Sequence, residues 1–168
     1  IDLSLEDFVS RVNADLVNKI INLVSRTVPL LHRNFAGRLA KLDAEFNDIS
    51  SLANGIEAKY RARDTAQVVR DVVAISDIAN RYLQDAAPWD ASKNTPERAH
   101  QILTTALWAG KVCVALLKPI IPIVAQQTET MLGVPEFTFQ NSLDALPEGQ
   151  TIQPYTRLFE RIDPKKVT

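Results

Sequence analysis

Cysteine occurs once, at Cys113, which excludes a disulfide framework and a cysteine zinc site and fits a reducing compartment. Histidine occurs twice, at His32 and His100, too far apart in sequence to follow metal-ligand spacing. Glycine is scarce, five against nine prolines. That balance argues against a glycine-punctuated β-sandwich or a phosphate-binding α/β core. Neither charge sign dominates: 19 basic and 20 acidic residues leave a net charge of −1, so no global basic field announces a nucleic-acid binder. No apolar run approaches the roughly 20 residues that a membrane-spanning helix needs. At 168 residues, 46% hydrophobic and 23% charged, the chain has the length and composition of one ordinary folded domain. It opens at Ile1 with no signal-like segment, and so reads as a piece of a longer chain.

Helical periodicity is what the sequence has in abundance. Leu5, Phe8, Val9, Val12, Leu16, Ile20, Val24, Val28, Leu31 and Phe35 recur at steps of three and four, with Ser4 and Asp7 as a starting cap. Pro29 is expected to bend or restart this first helix. Residues 36 to 47 read as a short helix or connector. A second helix is expected from Ile49 to Arg61, and a third from an Asp64 cap through Leu83 with Val68, Val72, Ile75, Ala79 and Tyr82 as its stripe. Thr95-Pro96-Glu97 then gives a capping hydroxyl, a proline at the first helical position and an acid at the positive helix end. The helix that follows, interrupted at Lys118-Pro119, is the most apolar and is expected to be the most buried. A last helix runs from Pro119 to Leu132, with Gly133 just past its end. The fold expected is all-α, an antiparallel bundle of about five helices over residues 1–133. Residues 134–168 form an irregular C-terminal tail that packs back on the bundle or a neighbouring domain, with one short amphipathic piece, Tyr155 to Ile162.

Catalytic constellations are missing. There is no glycine-rich phosphate loop, no His-Glu-x-x-His, no Cys-x-x-Cys and no Gly-x-Ser-x-Gly. Two local features stand out instead. Asn18, Asn22 and Arg26, spaced at four, form a polar stripe beside the apolar face of the first helix. Such a stripe serves either as an Asn–Arg or Asn–backbone bond that steadies the helix, or as an amide and a guanidinium fork that read the edge of an unpaired base. Trp89 follows Pro88 on a loop after a helix, in contrast to Trp108 within the most apolar helix. Its indole either folds over the bundle end or offers a flat face on which a base stacks.

Longer stretches add a resemblance. Leu5 to Arg26 resembles the first anticodon-domain helix of bacterial methionyl-tRNA synthetases, and Asn80-Arg81-Tyr82-Leu83 with Ala86-Ala87-Pro88-Trp89 resembles that family's second hallmark. Leu117-Lys118-Pro119-Ile120-Ile121-Pro122 is similar to the proline-split helix that related class I synthetases share. Leu158-Phe159-Glu160-Arg161-Ile162-Asp163 resembles the peptide with which the family returns towards its catalytic domain. The resemblance implies a helical anticodon-binding domain for the cytosine–adenine–uracil loop of methionine tRNA, with Asn22 and Arg26 reading bases and Trp89 stacking. It assigns no such role to Asn18, for which a helix-surface or bundle contact is expected. It also implies a cytoplasmic parent enzyme, methionine–tRNA ligase, that uses ATP and, in many members, zinc. The family's ATP-binding motifs and zinc knuckle do not occur in these residues, so the segment is expected to be non-catalytic and without a cofactor of its own. Expected partners are methionine tRNA and the catalytic domain of the same polypeptide, with no membrane. The competing expectations are the equivalent domain of a leucine, isoleucine, valine or cysteine synthetase, and a helical protein-interaction scaffold.

Overall fold

The structure, a computed structural model, describes residues 16, 18–43 and 46–156. Six α-helices follow one another among them: α1 Asn18–Phe35, α2 Asn47–Asn54, α3 Ile56–Arg61, α4 Thr65–Ala86, α5 Pro96–Leu116 and α6 Pro122–Leu132. The Ser4 cap, the early stripe from Leu5 to Val12 and the Leu158 to Asp163 motif lie outside the described residues, as does most of the Tyr155 to Ile162 piece.

The fold is organised around α5. Every residue from Ile102 to Leu116 is buried, as expected for a helix that is apolar on all sides and therefore surrounded. It packs chiefly against α1 and α4, with α2 and α6 completing the surround. Its start is built as the sequence implies: the Thr95 hydroxyl accepts the Arg98 amide at 3.2 Å and Pro96 takes the first turn. Asp64 caps α4 in the same way, accepting the Gln67 amide at 3.2 Å. Each such cap contributes about 1 kcal/mol. On α1, Ile20, Leu23, Val24, Val28 and Leu31 are buried, as is Leu16 just before it, and on α4 Val68, Val72, Ile75 and Ala79.

Three boundaries differ from expectation. Helix α1 continues through Pro29 rather than restarting there. Pro29 is exposed, so the Ser25 carbonyl it deprives of a donor lies one turn back towards water. The segment expected as one helix from Ile49 to Arg61 is two, divided at Gly55, where glycine's weak helix propensity lets the chain turn between two short pieces. The last helix begins at Pro122, not Pro119. The intervening turn is closed by the amides of Ile120 and Ile121, both donating to the Leu117 carbonyl. Gly133 ends α6 in the left-handed region, φ 66°, which glycine adopts at no steric cost.

Residues beyond α6 are irregular yet closely tied down. Phe137, Leu146 and Ile152 are buried. The Leu39 amide donates to Gln150, and the Gly149 amide returns to Leu39. Two side chains of α5 grip the turn at 141–144. Trp108 Nε1 donates to the carbonyls of Leu143 and Asp144 at 3.2 and 3.1 Å. Lys111 Nζ donates to those of Asn141, Ser142 and Asp144 at 3.3, 2.9 and 2.7 Å. Burial pulls the Lys111 ammonium down to about 8, opposed by the nearby Asp144 carboxylate.

Candidate nucleic-acid interface

Helix α1 and the α4–α5 loop meet at the surface. Asn22 and Arg26 are exposed on α1 one turn apart, because the apolar stripe of this helix faces α5 and turns the polar residues outward. Trp89 is 44% exposed, unusual for so large an apolar side chain. Its ring lies beneath the Arg26 guanidinium, with Cζ 4.8 Å from the ring centroid. A cation over an indole face at this distance is attracted by the ring quadrupole, by about 0.5–1 kcal/mol at an exposed site. Arg26 thus turns to Trp89, and the Asn–Arg bond offered above as one alternative is not among the described contacts.

The loop places Trp89 by a defined backbone path. Helix α4 ends at Ala86, and Ala87 adopts φ 45° and ψ 64°, left-handed without being glycine. Pro88 is buried and anchors the base of the loop. The Asp90 amide donates to the Ala87 carbonyl at 2.9 Å, closing a turn around Pro88 and Trp89. The Asp90 carboxylate accepts the Ser92 amide and hydroxyl at 2.9 and 2.6 Å. These bonds hold its carboxyl below the usual aspartate range. Asn94 Nδ2 closes the loop from the other side, donating to the Ala86 and Ala87 carbonyls at 2.8 and 2.9 Å. Asn94 and Ala87 escaped the sequence reading, since nothing local marks an asparagine eight residues beyond a helix end as its clamp.

Other residues of the stretches that carry the resemblance serve the fold. Asn80 Nδ2 donates to the Ser76 and Lys19 carbonyls, and Leu83 is buried. The Tyr82 hydroxyl donates to Asp43 Oδ2 at 2.7 Å. Burial and that carboxylate raise the Tyr82 phenol, while Arg98 holds the Asp43 carboxyl below its usual range. Lys118 pairs with Glu129 at 2.7 Å, and Glu129 also accepts the Phe137 amide. Among the described residues no cluster of three His, Cys, Asp or Glu side chains could hold a metal. A groove of about 750 Å³ lies between residues 41–50 and 143–148, lined by neither Asn22, Arg26 nor Trp89. What remains on the exposed face of α1 is an indole, a guanidinium and an amide on an open surface rather than in an enclosed pocket.

Residues 35–168 match the model of the anticodon binding domain of methionyl tRNA ligase. The chain belongs to this family. It is 39% identical over 175 residues to a methionine–tRNA ligase of Thiobacillus denitrificans, covering 99% of this chain and 25% of that protein. It is 38% identical over 170 residues to the Xylella fastidiosa enzyme, covering 98% and 24%. The chain therefore spans about a quarter of the length of these relatives. The fold is that of the corresponding region of Mycobacterium tuberculosis methionyl-tRNA synthetase in complex with methionyl-adenylate, at TM-score 0.74 and 24% identity, covering 93% of this chain and 33% of that one. The apo form of the same synthetase matches equally well, at TM-score 0.74 and 24% identity over 95% and 35%. Trp89 lies within the region matched by the family model, whereas Asn22 and Arg26 precede it.

Proposed function

We propose that this anticodon-binding domain recognises the cytosine–adenine–uracil loop of methionine tRNA for a parent methionine–tRNA ligase that attaches methionine using ATP in the cytoplasm. Residues 1–133 form the reading bundle in this proposal, and 134–168 a tail that packs back on the bundle or on the catalytic domain of the same polypeptide. Trp89 stacks an unpaired base, and Arg26 and Asn22 donate to base edges. In this proposal ATP, and the zinc of many such enzymes, belong to the remainder of the parent.

One observation carries the reading: within a member of this family, an exposed indole and a guanidinium are brought into contact on the exposed face of α1. Among the described residues no helix is long and apolar enough to cross a membrane. Near-neutral net charge fits a domain whose affinity rests on loop bases more than on phosphates. The test is binding of RNA hairpins to the purified chain. Tighter binding of a cytosine–adenine–uracil loop than of one with a changed first anticodon base is the expected outcome. Equal binding of all loops would leave a general RNA contact, and no binding to any would leave a protein-interaction scaffold. Methionine-dependent ATP–pyrophosphate exchange is expected to be silent for this chain alone.

A further inference from the structure

We infer that Asn94 is a positioning residue for base stacking, acting through the backbone that carries Trp89; this rests on the anticodon-loop reading above. The α4 helix ends with carbonyls that have no intrahelical partner, at the negative end of its dipole. A left-handed glycine is the usual way to close such an end. Here the position is Ala87, whose Cβ makes φ 45° unfavourable by roughly 1 kcal/mol or more. Left to itself, an alanine there favours the right-handed or extended region, and either choice redirects Pro88 and Trp89. The Asn94 amide opposes that relaxation. Its one nitrogen donates to both the Ala86 and Ala87 carbonyls, at 2.8 and 2.9 Å. With Ala87 left-handed both oxygens lie within reach of that one nitrogen, and a change of φ and ψ at Ala87 would swing its carbonyl away from the place where the Ala86 carbonyl holds the amide. Asn94 is itself half-buried beneath the loop, and the turn from Asp90 to Ala87 shares the Ala87 carbonyl. The indole is thereby fixed before any RNA arrives, so that little ordering entropy opposes stacking. Asn94 touches no base in this scheme.

The sign of the interaction makes it testable. Asparagine presents a donor to two carbonyls; aspartate presents only acceptors and repels them. Asn94→Asp is expected to weaken binding of a cytosine–adenine–uracil hairpin roughly tenfold, the equivalent of about 1.4 kcal/mol, and Asn94→Ala about threefold. Ala87→Gly in the Asn94→Ala background is expected to restore most of the affinity, because glycine needs no tie to stay left-handed. Fluorine NMR of the fluorotryptophan-labelled chain supplies a readout independent of RNA. The Trp89 resonance should shift and broaden in Asn94→Asp, while the Trp108 resonance and the melting temperature stay near wild type. An unmoved Trp89 resonance, or unchanged hairpin affinity in Asn94→Asp, overturns the assignment. So does a shift of both resonances with a lowered melting temperature in Asn94→Asp and in the milder Asn94→Ser, which would make Asn94 a residue of the fold at large. Trp89→Ala separates the two levels. If it binds the hairpin like wild type, the anticodon reading fails, and the fluorine spectra still judge the tie.

Discussion

The chain has two tryptophans, each near a long cationic side chain, and the surroundings differ in how the polar groups are satisfied. Trp108 is 4% exposed, its N–H shared by two backbone carbonyls and its ring stacked near Phe46. Lys111, three residues on, gives its ammonium to three carbonyls of the same turn. Everything polar there is matched from within. Around Trp89 the indole is half open, its cation is Arg26 from a different helix, and Asn22 and Arg26 face water. Among the described residues the Arg26 guanidinium is bridged to no carboxylate, and its donors face outward beside the indole. The first region closes the fold; the second offers unspent hydrogen-bonding capacity on a preset backbone.

The sharpest way to break this comparison is to truncate both indoles. Trp108→Ala should cost about 3–5 kcal/mol of unfolding free energy, because it leaves a large cavity on the face of α5 and takes from the Leu143 carbonyl its indole donor. Trp89→Ala should leave urea denaturation followed by circular dichroism nearly unchanged. A comparable loss of stability in both would erase the distinction.

In hairpin binding the order should reverse. Trp89→Ala is expected to weaken the cognate loop by roughly 1–3 kcal/mol, the range for base–aromatic stacking. Arg26→Gln should do so selectively, losing more against the cognate first base than against a changed one. Uniform losses across loops would make Arg26 a phosphate clamp instead.

Lys111 sharpens the comparison through pH. Burial pulls its folded pKa to about 8, below the ordinary lysine value of about 10.4, so between the two the unfolded chain binds more protons. Stability from this group then rises with pH across that window and is lowest below it. Relative to Lys111→Met, which does not titrate there, the wild type should gain about 1–2 kcal/mol between about pH 7 and about pH 10, read from paired melts. A flat difference would mean that the three carbonyls keep the ammonium as stable as in water. The smallest effect is the Arg26–Trp89 contact itself. A double-mutant cycle in stability should give a coupling of about 0.5–1 kcal/mol, reduced by salt.

Much of the bundle was legible because its determinants are local. The Thr95-Pro96 start, the Asp64 cap, the Gly133 stop and the burial of Trp108 each follow from residues within one or two turns. Pro29 misled because a helix tolerates a proline when the carbonyl it orphans can reach water, and sequence does not say which side that is. Gly55 was passed over because one glycine inside a periodic run is weak punctuation. At the candidate interface, the residue types at Asn22, Arg26 and Trp89 were readable, and their helix-face and loop positions with them. The contact between Arg26 and Trp89 was not, since it depends on α1 and the end of α4 being brought together by packing on α5. Asn94 and Lys111 were missed for the same reason: each acts on carbonyls distant in sequence, and backbone carbonyls carry no residue signature.

The pairing of residues 37–39 with 149–152 has a consequence for the order of events in folding. The Ile152 amide donates to Gly37 at 2.8 Å, the Gly149 amide to Leu39 at 2.8 Å, and Gln153 to Met131 at 2.9 Å. The first two span most of the described chain, so the loop they close is among the most expensive in entropy and is best formed after the helices have assembled. The segment should therefore behave as a separate, less protected cooperative unit in hydrogen exchange, its amides opening together while those within α5 wait for global unfolding. Because Leu39 both gives and receives in this ladder, a proline at that position would unlatch the seam from the inside and leave the helices standing.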